Sequence, residues 1–313
     1  MAIVLTDDIN FTNIAKAIRA INKRGRMYRP CELAGAIEEM GVDQSAKMLQ
    51  IVDRSVTEIS ASELAGITSI GDYAFYYCKS LTSIEIPDSV TSIGDYAFYS
   101  CNSLTSIDIG DSVTSIGDES FTFCHRLTSV VIPDSVKSIG HSAFSRCENL
   151  TSVEIGDSVT SIGHHAFYEC PLTSIVMPNS VTSIGQFAFY GCHGLTSINI
   201  PDGVTSIEHS TFRDCDGLTS IVIGNGVTSI GQDAFRDCTS LASVVIPDNV
   251  TSIGRGAFNT SISTLTMLRA TPPLIQSDTF GSINKIIVPK GSLDAYKNAT
   301  NWSVFADKMV EAQ

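Results

Sequence analysis

Apolar and polar positions alternate along most of this chain in a pattern that repeats every 23 residues. Cysteine recurs at 78, 101, 124, 147, 170, 192, 215 and 238, with one step of 22 where CPLTS replaces the usual CxxLTS. Phenylalanine keeps the same beat three residues earlier, at 75, 98, 121, 144, 167, 189, 212 and 235, and once more at Phe258. The working unit is LTSIxIPDSVTSIGxxAFxxCxx. Leu81, Ile84, Ile86, Val90, Ile93, Ala97, Phe98 and Cys101 form one full set of its apolar positions.

Within the unit, the alternating Leu-x-x-Ile-x-Ile predicts a short strand and Pro-Asp or Gly-Asp the turn after it. Ala-Phe-x-x-Cys predicts a tight helical or irregular return. One unit cannot bury its apolar face alone, so neighbouring copies must pair their strands and stack their like side chains. The predicted fold is a leucine-rich repeat solenoid of short parallel strands with a 23-residue period over residues 67–263. Rungs about 4.8 Å apart would give roughly nine turns.

The flanks differ in kind. In NFTNIAKAIRAIN, Phe11, Ile14, Ala15, Ile18 and Ile21 share one helical face behind Asn10 as a candidate N-cap. A basic turn, KRGRMYR, leads to a second short helix from Pro30 through Met40, so residues 1–45 read as a small helical hairpin. Residues 46–66 read as a degenerate first repeat that keeps Val56 and Ile59. Residues 264–313 read as a C-terminal cap with a strand through Ile286 to Val288 and a helix carrying Tyr296 and Trp302. An open-ended stack needs such altered ends.

The strings SIEIPDSVTSIGDYAFYYC and SVVIPDNVTSIGRGAF resemble the BspA-type leucine-rich repeats of bacterial surface and host-associated proteins. The resemblance covers about two thirds of the chain. It implies a curved or gently twisted solenoid that binds other macromolecules, without enzymatic activity and without a fixed ligand. The hairpin resembles short N-terminal modules of phage-tail and gut-bacterial repeat proteins, and the closing segment is similar to that of the same repeat family.

Charge narrows the partners. The net charge is −13, and residues 67–263 alone hold 20 acids against 7 bases. That balance speaks against nucleic acid and anionic membranes and favours a neutral or basic ligand. No apolar run approaches the eighteen residues of a membrane span, so membrane insertion is not expected. The opening MAIVLTDDINFTN lacks the basic and apolar regions of a secretory signal. This sits against the cell-surface or extracellular location the family suggests, and a virion origin would reconcile the two.

Single cysteines at even spacing lack the paired pattern of zinc sites, and stacked side chains point alike rather than at each other. They read as a buried ladder of free thiols. His141 and His164 share a column with His165 beside them, but no carboxylate is fixed there by the pattern, so no metal is assigned. Asp88, Asp111, Asp134, Asp157, Asp202 and Asp248, with Asn179 and Asn225, invite calcium. Asp and Asn also close turns through their own side chains, and this is the preferred reading. No catalytic constellation or cofactor motif stands out, and no enzyme activity is predicted.

Positions fixed in every copy serve stacking, whereas positions that vary are free for recognition. Between the fixed Phe and Cys lies a column of Tyr76, Tyr99, Thr122, Ser145, Tyr168, Tyr190, Arg213 and Arg236. A second column includes Asp95, Asp118, His141 and His164, and a third, on the strand, begins with Glu85 and Asp108. Tyrosine offers large contact area with a polar tip, suited to protein or sugar ligands and also to a tolerated rim. The candidate binding residues are therefore Tyr76, Tyr99, Tyr168, Tyr190, Asp95, Asp118, His141, His164, Glu85 and Asp108. The predicted role is protein or carbohydrate recognition, with residues 1–45 as a docking element for an assembly. A structural spacer without a ligand on its repeats is the alternative.

Overall fold

The computed structural model describes residues 55–313. The helical hairpin expected at 1–45, and the first part of the degenerate repeat, lie outside the described residues. From 55 onward the chain is a parallel-strand solenoid of about 11 turns with very little helix.

Each turn has three sides. The first is a strand such as Ser83–Glu85, paired in parallel with Ser106–Asp108 so that Ile84 faces Ile107 and Glu85 faces Asp108. The second is a two-residue strand such as Ser92–Ile93, paired with Ser115–Ile116. Alternation sends Ile84 and Ile86 inward and leaves Glu85 exposed, as a period of two requires. Val56 and Ile59 are buried, and Glu58–Ile59 pairs with Ser83–Ile84, so the described part of this segment stacks on the repeat that follows it.

The third side is neither helix nor strand. In residues 95–100 the amides of Tyr96, Phe98 and Ser100 donate to the carbonyls of Asp118, Ser120 and Thr122, one rung on, at 2.7–2.8 Å. Three peptide groups per rung therefore point the same way along the stack. This alignment requires left-handed backbone at two places in each turn, here Tyr96 and Ser100, with φ near 57°. Across the rungs these sites hold Tyr, Phe, Ser, His, Asp, Glu, Arg and Gly, and no Val, Ile or Thr. Branching at Cβ makes that conformation most costly, which explains the omission.

The core is a set of ladders. Phe75, Phe98, Phe121, Phe144, Phe167, Phe189, Phe212, Phe235 and Phe258 are all buried, with successive ring centroids 5.0–5.5 Å apart and nearly parallel. Phe280 extends the pile and meets Trp302 at its C-terminal end. The strands Ile262–Met267, Ile283–Val288 and Met309–Glu311 continue the first side in parallel pairing. One expectation is corrected here: the helix Leu293–Asn298 carries Tyr296, but Trp302 lies beyond it, just before the 3-10 turn Ser303–Lys308. Its indole Nε1–H donates to the Pro273 carbonyl at 2.8 Å, and that position, reached through a turn with left-handed Asn301, closes the core.

Candidate recognition surface

The candidate residues fall on two sides of the solenoid. Glu85 and Asp108 are register neighbours on the exposed strand side, in a column that continues with Val131, Glu154 and Val176. The other eight lie on the third side.

There Tyr76 stacks on Tyr99 at 5.2 Å, and Tyr168 on Tyr190 at 4.9 Å. Tyr73 stacks on Tyr96 at 4.8 Å in the neighbouring left-handed column. The amides of this side run along the stack, the fixed Ala, Phe and Cys turn inward, and the tyrosine rings stand half-exposed on the outer side. Tyr96 donates to Glu119 Oε1 at 2.8 Å, and this bond raises its hydroxyl to about 12. A bond to Asp214 likewise raises Tyr190 to about 12. Both remain neutral donors at any physiological pH.

The second column has a structural duty that its variability concealed. Asp95 Oδ1 accepts from the Asp118 amide at 2.9 Å, and Asp118 Oδ1 from the His141 amide at 2.7 Å. His141 Nδ1 then accepts from the His164 amide at 3.0 Å, and His164 Nδ1 from the Gln186 amide at 2.9 Å. Carboxylate Oδ1 and imidazole Nδ1 sit the same number of bonds from Cα, so Asp and His are interchangeable here. Because Nδ1 accepts, each neutral ring carries its proton on Nε2, which leaves neither nitrogen ready for a metal.

The turn acids behave alike. Asp88 Oδ1 accepts from the Asp111 amide at 3.0 Å and Asp134 Oδ1 from the Asp157 amide at 2.7 Å. The side chain thus ties one turn to the next, rather than closing its own turn as expected. The cysteines from 78 to 238 are free and buried.

The tyrosine column is interrupted. Thr122 and Ser145 take the places where rings would stand, and both are buried. The result is a cavity of about 550 Å³ between Tyr99 on one side and Tyr168 and Tyr190 on the other. Glu119, Phe123, Ser142, Arg146, His165, Phe187 and Arg213 complete it. Arg146 lies over the Phe123 and Tyr168 rings and pairs with Glu169 at 3.2 Å. The sequence reading named Tyr99, Tyr168 and Tyr190 but missed these others, most of which occupy the left-handed columns. The drop from Tyr to Thr and Ser in one column was the available signal.

The chain is similar to known proteins through its repeats. The model for the BspA type leucine rich repeat region matches residues 53–172 and 160–287. A leucine rich repeat protein of T. pallidum is 30% identical, covering 58% of this chain and 76% of its own, with a TM-score of 0.42. A leucine rich cell surface protein from Faecalibacterium prausnitzii is 25% identical over 82% of this chain and 87% of its own, at 0.38. A leucine-rich repeat protein from Eubacterium ventriosum is 23% identical over 76% and 86%, at 0.46. No curated relative matches the sequence. With the repeat model spanning most of the solenoid, the chain belongs to the BspA-type leucine-rich repeat family.

Proposed function

We propose that this chain is a non-enzymatic binding module that recognises a protein or carbohydrate at a bacterial or virion surface, using the third side of its solenoid. The observation that supports this most is the set of half-exposed tyrosine stacks, Tyr76 on Tyr99 and Tyr168 on Tyr190. The core is complete without them, since the fixed Phe, Cys, Ile and Val positions already fill it. Aromatic surface of this kind is enriched where proteins meet partners. The acidic balance of the repeats favours a neutral or basic ligand, and residues 1–45 serve as the element that docks the module to an assembly.

The test is attachment of the purified protein to intact bacterial and epithelial cells. Three forms are compared: the full chain, a variant with Tyr76, Tyr99, Tyr168 and Tyr190 changed to Ser, and a chain lacking residues 1–45. Loss of attachment in the tyrosine variant alone supports the reading. Attachment that survives in the tyrosine variant refutes it.

A further inference from the structure

In the column of Asp95, Asp118, His141 and His164, each side chain accepts the backbone amide of the rung after it, and the acceptor changes chemistry halfway. Asp95 and Asp118 take the amides of Asp118 and His141 on a carboxylate oxygen. His141 and His164 take those of His164 and Gln186 on imidazole Nδ1, at 3.0 and 2.9 Å. A carboxyl group keeps an acceptor oxygen in either charge state. Nδ1 accepts only while the ring is neutral, because an imidazolium carries a proton on both nitrogens.

Glycine precedes the column residue on each of the rungs concerned, at Gly140, Gly163 and Gly185. A Cβ at Gly163 would stand 2.7 Å from the His141 nitrogen, and one at Gly185 2.5 Å from that of His164. This close approach brings the next amide within reach of Nδ1. It also stacks the two rings, with centroids 4.9 Å apart and planes within 14° of parallel. Two imidazolium charges at that spacing repel.

The surrounding charges are few. Asp118 stands one rung before His141, and Glu119 beside it accepts from the Tyr96 hydroxyl. Lys137 is exposed just before the strand Ser138–Ile139 that leads into His141. Beyond His164 come Gln186, which is uncharged, and then His209, whose Nε2 lies 3.9 Å from Asp233 Oδ2. His165, half-buried beside His164, has its pKa lowered, first by burial and then by His164 and His141. Among the described residues the histidines that pair with a carboxylate are His125, His193 and His209, so neither His141 nor His164 has such a partner.

The same two residues hold the cavity wall. The His164 and Gln186 carbonyls accept from the amides of Ser142 and His165 at 2.7 and 2.9 Å, and both donors line the cavity. His164 and Gln186 are thus tied to the preceding rung at both ends, the nitrogen by an imidazole and the carbonyl by a wall residue.

We infer that the rungs at 141, 164 and 186 form a pH-sensitive seam, which mild acid loosens by taking the acceptor away from the His164 and Gln186 amides. The inference goes beyond recognition and stands whether or not the third side binds a ligand. The closed seam takes neutral rings, whereas the loosened seam takes either form, so the loosened state binds more protons. Closure present at neutral pH is lost as pH falls through the range in which imidazole gains its charge.

Amide hydrogen exchange of the full-length protein at pH 7.5 and 5.5, expressed as protection relative to an unfolded chain at the same pH, reads the seam residue by residue. Protection at His164 and Gln186 is expected to fall about tenfold on acidification, the equivalent of one hydrogen bond, while Asp118 and His141 keep theirs within about threefold. In the double variant His141→Asn and His164→Asn, Oδ1 keeps an acceptor that does not titrate, and the fall is expected to vanish. His165→Phe leaves both seam rings in place and is expected to retain it. Should the double variant melt early at pH 7.5, His164→Asn alone serves, with the response lost at Gln186 and kept at His164. A uniform change across all four amides overturns the inference, and so does a fall that persists in the asparagine variants.

Discussion

The thiol of Cys147 donates to the carbonyl oxygen of Phe121, 3.2 Å away and 26 residues earlier in the chain. The same bond recurs from Cys101 to Phe75, Cys124 to Phe98, Cys170 to Phe144, Cys192 to Phe167, Cys215 to Phe189 and Cys238 to Phe212. The two most regular side chains of the sequence are therefore partners across rungs. Burial, first among the causes, raises the thiol pKa of Cys101, Cys124, Cys147, Cys192, Cys215 and Cys238, so these donors keep their protons.

Protonated, buried thiols are poor nucleophiles. The eight ladder cysteines of the native protein are predicted to resist iodoacetamide for hours at pH 8 and to react promptly in denaturant. Cys147→Ala is predicted to cost about 1 to 2 kcal/mol through lost volume and a lost bond. Cys147→Ser, which keeps a donor, should cost less. Chemical denaturation measures both, and rapid labelling of any ladder cysteine in the native state, located by peptide mass mapping, would contradict the account.

The left-handed positions give a second comparison. Asp237 sits at φ 59° with its carboxylate beside Arg236, an exposed pair of small consequence. Asp237→Gly and Asp237→Val both remove that pair, so the difference between them reports the backbone alone. Val is predicted to be less stable than Gly by about 1 to 3 kcal/mol, read from thermal melts. Equal stabilities would mean that the left-handed turn is not required.

Those positions also mark the limit of what the sequence disclosed. The period, the strand sides and the buried Phe and Cys ladders were legible because each rests on one residue type recurring at one spacing. The third side was not, because its ladder is made of peptide groups and leaves only an omission, the lack of Val, Ile and Thr, as its trace. The column of Asp95, Asp118, His141 and His164 was read as free to vary, yet it holds one acceptor in two chemical forms. Tyr99, Tyr168 and Tyr190 were singled out for their contact chemistry, and all three line the cavity. Phe123, Arg146 and His165 were missed because a residue in an unusual backbone state is chosen first for tolerating it, and its type then looks arbitrary. Trp302 was placed on a helix by proximity, whereas its bond to Pro273 sets its position.

Acidification should loosen the third side. His165 stacks on Phe187 at 4.8 Å and packs against Tyr168, and its pKa is lowered, first by burial and then by His164 and His141. In the folded chain the neutral ring is favoured, while the unfolded chain takes up a proton near the ordinary value of about 6.5. The unfolded state therefore binds more protons, and stability present above that value is lost as pH falls below it. Melting temperature is predicted to fall between pH 7.5 and 5.5 by more in wild type than in His165→Phe. An identical slope in the two would remove His165 from the explanation.

Calcium should be without effect. Asp88 and Asp134 spend Oδ1 on backbone amides of the following rung, as do Asp95 and Asp118 in the other acidic column. The melting temperature is predicted to be the same within a degree in millimolar calcium and in chelator. Asp118→Ala, by contrast, leaves the His141 amide without its acceptor and should cost about 1 kcal/mol. A calcium-dependent rise would show that these carboxylates have another use.

The central claim is that recognition lies on the third side rather than on the strand side. Covalent tyrosine labelling of the protein bound to intact cells, read against the free protein, addresses it most directly. The account predicts protection of Tyr99, Tyr168 and Tyr190 on binding, with hydroxyl-radical oxidation of exposed Val131 and Val176 unchanged. Protection of the valines, with the tyrosines still fully labelled, would contradict it and move the binding surface to the strands.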